Sequence, residues 1–98
     1  MSDELFTMGR TVVTPDAIRM IHPQDIHIAM SRHRVGDWGD LRDLSGPDRA
    51  VNDNALADGD RILSVYRDRN GRKFWIMTDA ADEHGNRAAT TVLLPADY

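Results

Sequence analysis

The stretch Arg61-Ile62-Leu63-Ser64-Val65-Tyr66-Arg67-Asp68-Arg69-Asn70-Gly71-Arg72-Lys73-Phe74-Trp75-Ile76-Met77-Thr78 decides the fold. It is rich in β-branched and aromatic residues and is interrupted once, by Asn70-Gly71, the dipeptide favoured in a two-residue type I′ hairpin. A turn centred there sets Arg69 opposite Arg72, Asp68 opposite Lys73, Tyr66 opposite Trp75, Val65 opposite Ile76 and Leu63 opposite Thr78. One face of the ribbon then carries Leu63, Val65, Phe74 and Ile76, and the other Ile62, Tyr66, Trp75 and Met77. A sheet with one side in water should alternate apolar and polar residues. Here both sides are apolar, so helices are expected on one face and the N-terminal arm, a further helix or a second copy of the chain on the other.

Working outward, Ala89-Thr90-Thr91-Val92-Leu93-Leu94 reads as a further strand that stops at Pro95, which extends the hairpin into a meander. Arg10-Thr11-Val12-Val13 is a shorter β-favouring run that would add an edge. Three helices are expected between it and Arg61. Thr14 caps one from Pro15 to about Met20, with Asp16 at the positive end of the dipole. Pro23 opens a second that runs to about His33, with Ile26, Ala29, Met30 and His33 along one face. Ser45 or Gly46 starts a third from about Pro47 to Ala57, stopped by Gly59, in which Val51, Ala55 and Leu56 do the packing. The fold class is therefore α+β: a three- to four-stranded antiparallel meander sheet packed against two or three short helices. Residues 1–9 read as a flexible arm and residues 10–98 as a single domain.

A chain of 98 residues has room for one modest core. With no cysteine there is no disulfide framework, thiolate nucleophile or cysteine-type zinc site. No stretch approaches the roughly 18 apolar residues of a membrane helix, and Asp3 and Glu4 do not suit a secretory leader, so a cytoplasmic protein without membrane partners is expected.

The net charge of −4 conceals two opposed blocks. Asp37, Asp40, Asp43, Asp48, Asp53, Asp58 and Asp60 are accompanied between Gly36 and Asp60 only by Arg42 and Arg49. Arg61, Arg67, Arg69, Arg72 and Lys73 follow, with Asp68 as the single acid. The blocks either steer a charged partner or neutralise one another across the folded surface. An acidic surface places carboxylates where a nucleic-acid backbone would put phosphates, and so occupies a basic site without chemistry of its own. The acidic total argues against direct nucleic-acid binding through the basic hairpin tip. His33, Asp37, Trp38 and Asp40 lie around a glycine-rich turn, where an imidazole and a carboxylate could act as base and orienting group. The competing reading makes Trp38 an anchor, Asp37 and Asp40 caps of nearby amides, and His33 a helix-terminal charge. His22, His27 and His33 are spaced too irregularly to share a helical face as metal ligands, and no cofactor motif is present.

Met8-Gly9-Arg10-Thr11-Val12-Val13-Thr14-Pro15, Gly36-Asp37-Trp38-Gly39-Asp40, Gly59-Asp60-Arg61-Ile62-Leu63-Ser64-Val65-Tyr66, Trp75-Ile76-Met77-Thr78 and Thr90-Thr91-Val92-Leu93-Leu94-Pro95 together resemble a family of small bacterial proteins met on plasmids and other mobile elements. The resemblance spans about Met8 to Tyr98 and departs in the loop Ala80 to Arg87, which is longer here. It brings no established catalytic activity, so no functional residue carries over. A mobile-element setting is where short inhibitors of host defence, anti-CRISPR proteins among them, are found, and these act by blocking rather than catalysis.

The leading expectation is thus a non-enzymatic inhibitor of a nucleic-acid-directed host protein complex, such as a CRISPR effector. Its expected contact surface is Asp37, Trp38, Asp40, Asp43, Asp48, Asp53 and Asp58, with no metal or cofactor. The alternatives are a small hydrolase or nuclease using His33 and Asp37, and a sheet-mediated homodimeric scaffold.

Overall fold

The computed structural model describes residues 4–98. Its elements run β1 (Arg10–Val13), α1 (Pro15–Met20), α2 (Pro23–His33), α3 (Gly46–Asp58), β2 (Ile62–Arg67), β3 (Lys73–Thr78) and β4 (Ala89–Leu93), with a closing 3-10 turn at Pro95–Asp97. The strands form one four-stranded sheet in the order β1-β4-β3-β2. β2, β3 and β4 make the antiparallel meander, but β1 runs parallel to β4, from Arg10 opposite Ala89 to Val13 opposite Val92. The architecture is α+β as expected, and the sheet is mixed rather than purely antiparallel. β1 is separated from β4 by all three helices and the β2–β3 hairpin, so its direction is set by the path of that long connection and not by a tight turn.

The helix starts follow local chemistry. Thr14 Oγ1 accepts the Ala17 amide at 3.2 Å, and Ser45 Oγ accepts that of Asp48 at 3.3 Å. His22 does the same for α2, its Nδ1 accepting from the Gln24 amide at 3.0 Å. Gly59, at φ +77°, ends α3 in a left-handed cap.

The hairpin corrects the expected alignment by one residue. Arg67 lies opposite Lys73, Tyr66 opposite Phe74, Val65 opposite Trp75, Ser64 opposite Ile76 and Leu63 opposite Met77. Gly71 takes φ +82°, whereas Asn70 stays at negative φ, so a type I′ turn, which needs both central residues at positive φ, is not formed. The turn is instead Arg69-Asn70-Gly71. Asp68 Oδ1 accepts the amides of Asn70 at 2.9 Å and Arg72 at 2.7 Å, while the Asp68 amide donates to the Arg72 carbonyl. The Asp68 carboxylate favours this longer turn because it satisfies two amides that a two-residue turn would arrange otherwise.

A one-residue shift exchanges the two faces of a strand relative to its neighbour. Ile62, Ser64, Tyr66, Phe74, Ile76 and Thr78 therefore share one side, and Leu63, Val65, Trp75 and Met77 the other. α1 and α2 cover the first side, packing Ala17, Ile21 and Ala29 against Tyr66, Phe74, Ile76 and Val92. A second cluster of Trp38, Leu44, Ala55, Ile62 and Val65 wraps the β2 edge. Over the described part of the expected arm, Phe6 packs edge-on to His33 at 5.3 Å, the Leu5 amide donates to the Arg34 carbonyl, and the Met8 carbonyl accepts from Thr90. Residues 1–3 lie outside the described residues.

β2 is an edge strand whose Leu63 backbone groups and Val65 amide, all turned outward, are satisfied without a further strand. Asn52 of α3 donates from Nδ2 to the Leu63 carbonyl at 2.6 Å and accepts the Leu63 amide at Oδ1 at 3.1 Å. The Val65 amide donates to the Trp38 carbonyl at 3.1 Å. Gly39 crosses so close that a Cβ there would stand 1.9 Å from the Val65 oxygen. Asn52→Ala removes both Leu63 partners together. A loss of about 2–3 kcal/mol in urea unfolding is expected, whereas a change below about 0.5 kcal/mol would show that water replaces the amide.

Candidate interaction surface

His33 is fully buried, in keeping with its place on the apolar face of α2, and it is not the helix-terminal charge of the competing reading. Thr90 Oγ1 donates to the Met8 carbonyl at 2.6 Å, so in its 2.7 Å contact with Thr78 Oγ1 it must accept. Thr78, its own proton committed, accepts from His33 Nε2 at 2.8 Å, and Ser64 Oγ donates to the unprotonated Nδ1 at 2.6 Å. One ordered chain thus holds a neutral imidazole with both nitrogens engaged. Burial, and then the charge of Arg87, push its pKa down from 6.5 to about 3. Asp37 is occupied elsewhere: Arg32 donates to it from Nε at 2.7 Å and from Nη2 at 3.1 Å, which holds its carboxyl below the ordinary value. His33 and Asp37 therefore do not engage each other as base and orienting acid.

The other expected contact residues separate into distinct roles. Trp38 is 2 % exposed, and its Nε1 donates to Asp53 Oδ1 at 2.9 Å, so both residues anchor the loop to α3. Asp43 is enclosed between Arg67 at 2.7 Å and Lys73 at 3.4 Å. Those partners, Arg67 foremost, lower its pKa to about 2. Here the acidic and basic blocks meet and neutralise each other. Asp40 stands in solvent beside Arg42 at 3.2 Å. Asp48 and Asp58 are exposed and, among the described residues, have no ion-pair partner.

The fold brings further carboxylates to Asp58. The Ala81 amide donates to the Gly59 carbonyl at 2.8 Å. Beneath this contact the buried Arg87 donates from Nη1 to the carbonyls of Asp60 at 2.7 Å and Asp79 at 3.0 Å, and from Nη2 to that of Ala55 at 3.0 Å. Asp58 and Asp60 are thereby set beside the loop carrying Asp79, Asp82 and Glu83, and none of the five pairs with a lysine or arginine side chain among the described residues. Asp82 also accepts the His84 and Asn86 amides, which shapes the loop. Sequence reasoning missed Asp79, Asp82 and Glu83. Their grouping was visible as a short run without a basic neighbour before Arg87, but their meeting with Asp58 and Asp60 depends on tertiary contact.

The sheet face opposite α1 and α2 is only partly covered. A groove of about 350 Å³ lies between α3 and that face, lined by Leu44, Val51, Leu63, Trp75, Met77 and Tyr98, with Asp48, Asn52 and Arg61 also on its wall. Val51, expected in the core, is 59 % exposed on the rim, and Tyr98 is 68 % exposed. Tyr98 stands edge-on to Trp75 at 5.7 Å and accepts from Arg61 Nη1 at 3.0 Å. No three histidine, aspartate or glutamate side chains converge as a metal site among the described residues, and no described helix is long and apolar enough to cross a membrane. Comparison with family models, curated proteins and solved structures finds no match.

The His33 chain gives stability a definite pH dependence. Its folded pKa lies below 6.5, so the unfolded chain takes up the proton more readily, and stability that is complete above about pH 6.5 falls as the pH drops toward 3. Urea unfolding should show a loss of about 2 kcal/mol between pH 7.5 and 5. In His33→Gln the protein is less stable throughout, with that slope removed. An unchanged slope would assign it to other groups.

Proposed function

We propose that this chain is a non-catalytic interaction protein that blocks a basic, nucleic-acid-handling surface of a host protein complex, an inhibitor of the anti-CRISPR type. The supporting observation is the group Asp58, Asp60, Asp79, Asp82 and Glu83, none of which forms a salt bridge with a lysine or arginine among the described residues and which the Gly59–Ala81 contact gathers at one end of α3. Of the acids expected to form the contact surface, Asp43 and Asp37 are occupied by arginines and Asp53 by Trp38. The working surface in this reading is therefore Asp48, Asp58 and the adjoining Asp60, together with the 79–83 loop.

Carboxylates on a rigid backbone offer a basic cleft the charge it would find on a nucleic acid, and they accelerate encounter most at low salt. Catalysis has less support in the geometry, because both His33 nitrogens are engaged within the core. In this reading the protein acts in the cytoplasm, on a mobile element's behalf, without a cofactor.

Gel filtration of the protein with a purified CRISPR effector complex is expected to show co-elution that weakens as salt rises from about 0.05 to 0.5 M. The triple change Asp58→Asn, Asp60→Asn and Glu83→Gln should weaken it at least about tenfold, against little effect from Asp37→Asn. Failure to co-elute with any such complex, or co-elution indifferent to salt and to these changes, rejects the electrostatic reading.

A further inference from the structure

We infer that the groove between α3 and the open sheet face seats the apolar side of an amphipathic helix in the partner, a helix that carries lysine or arginine along its flank. Leu63, Trp75 and Met77 remain only half-buried although all three are large and apolar, with Val51 and Tyr98 standing proud on either side. Trp and Tyr are favoured anchors at contact surfaces, and the flexible thioether of Met77 adapts to the shape of an inserted side chain. At about 350 Å³ the groove is at the small end of ligand sites, a size suited to a few side chains.

The backbone excludes one mode of entry. An extended segment would dock by adding a strand to β2, but Asn52 occupies both Leu63 backbone groups, the Trp38 carbonyl takes the Val65 amide, and Gly39 crosses against the Val65 oxygen. Recognition must then come through side chains, as when a helix lays residues spaced three and four apart into a groove. The acids along and beyond α3, beside the groove, favour a basic flank. Asp48 lies on the α3 wall without an ion-pair partner among the described residues, Asp58 ends the same helix, and Asp60 follows just past its Gly59 cap. Arg61, the cation among the described lining residues, is engaged by Tyr98, its guanidinium 5.8 Å from the ring centre and donating to the hydroxyl at 3.0 Å. The basic flank of the partner helix rests on the acidic-surface reading above; its apolar anchoring does not.

The test is a fluorescence titration of the full chain with two synthetic helical peptides of identical apolar face, one Leu/Lys and one Leu/Glu. Trp38 is buried, so the response comes from Trp75, and Trp75→Phe serves as the control. The Leu/Lys peptide should shift the emission to the blue, with the Leu/Glu peptide binding at least about tenfold more weakly. Val51→Gln keeps the charge, and at an exposed helix position keeps the fold; it should weaken Leu/Lys binding about tenfold. Equal binding of both peptides, lost in Val51→Gln, would leave the groove standing and overturn the basic flank. Binding that ignores Val51→Gln and disappears in Asp58→Asn/Asp60→Asn would overturn the groove and leave the acidic surface. No binding by either peptide overturns the inference. So does a dimer seen by light scattering that Val51→Gln dissociates, since the groove would then take a second copy.

Discussion

The carboxylate of Asp68, holding the amides of Asn70 and Arg72, fixes the alignment of β2 with β3, and most of the structure depends on that alignment. Because side chains alternate along a strand, displacing one strand by a single residue would mismatch its faces with those of its neighbour. The observed alignment puts Ser64 and Thr78 together with Thr90 under α2, where His33 meets their hydroxyls. It also places Trp75 and Met77 on the uncovered face and turns the Leu63 backbone outward to Asn52. A short turn therefore decides both what is buried and what is offered to a partner.

The polar core is compatible with stability because each member has a defined role. Buried hydroxyls and imidazoles are costly when a donor or acceptor is left over. In the chain from Ser64 through His33, Thr78 and Thr90 to the Met8 carbonyl, each proton has an acceptor. Arg87 is handled in the same way, its guanidinium committed to three carbonyls under the ring of Phe6. Its burial binds the end of α3 to the 79–83 loop, so a core interaction is what assembles the acidic surface above it. Structure and proposed contact are linked at that point.

Much of the fold was legible in the sequence because its signals are local. Thr14 before Pro15, Ser45 before Gly46-Pro47, and Gly59 after α3 mark helix ends by the hydrogen bonds and backbone angles they provide. The hairpin was visible, but its alignment was not. Asn70-Gly71 suggests the two-residue turn, and only the competition from Asp68 two positions earlier reveals the longer one. The direction of β1 was hidden in the path of a long connection. For the surface, charge counting found the acids but not their partners: Asp43 and Arg67 are remote in sequence and adjacent in space. Helical periodicity assigned Val51 to the core, whereas Asn52 and Ala55 face inward and Val51 borders the groove.

The central claim is the Asp68-determined pairing, and NMR cross-strand contacts test it most directly. Leu63 and Val65 turn their backbone groups away from β3, so they sit in non-hydrogen-bonded pairs whose α-protons approach closely. Strong Hα–Hα contacts between Val65 and Trp75 and between Leu63 and Met77 are the result this account predicts. Strong contacts between Val65 and Ile76, or between Leu63 and Thr78, would contradict it, and the open face and buried histidine chain described above would have to be redrawn.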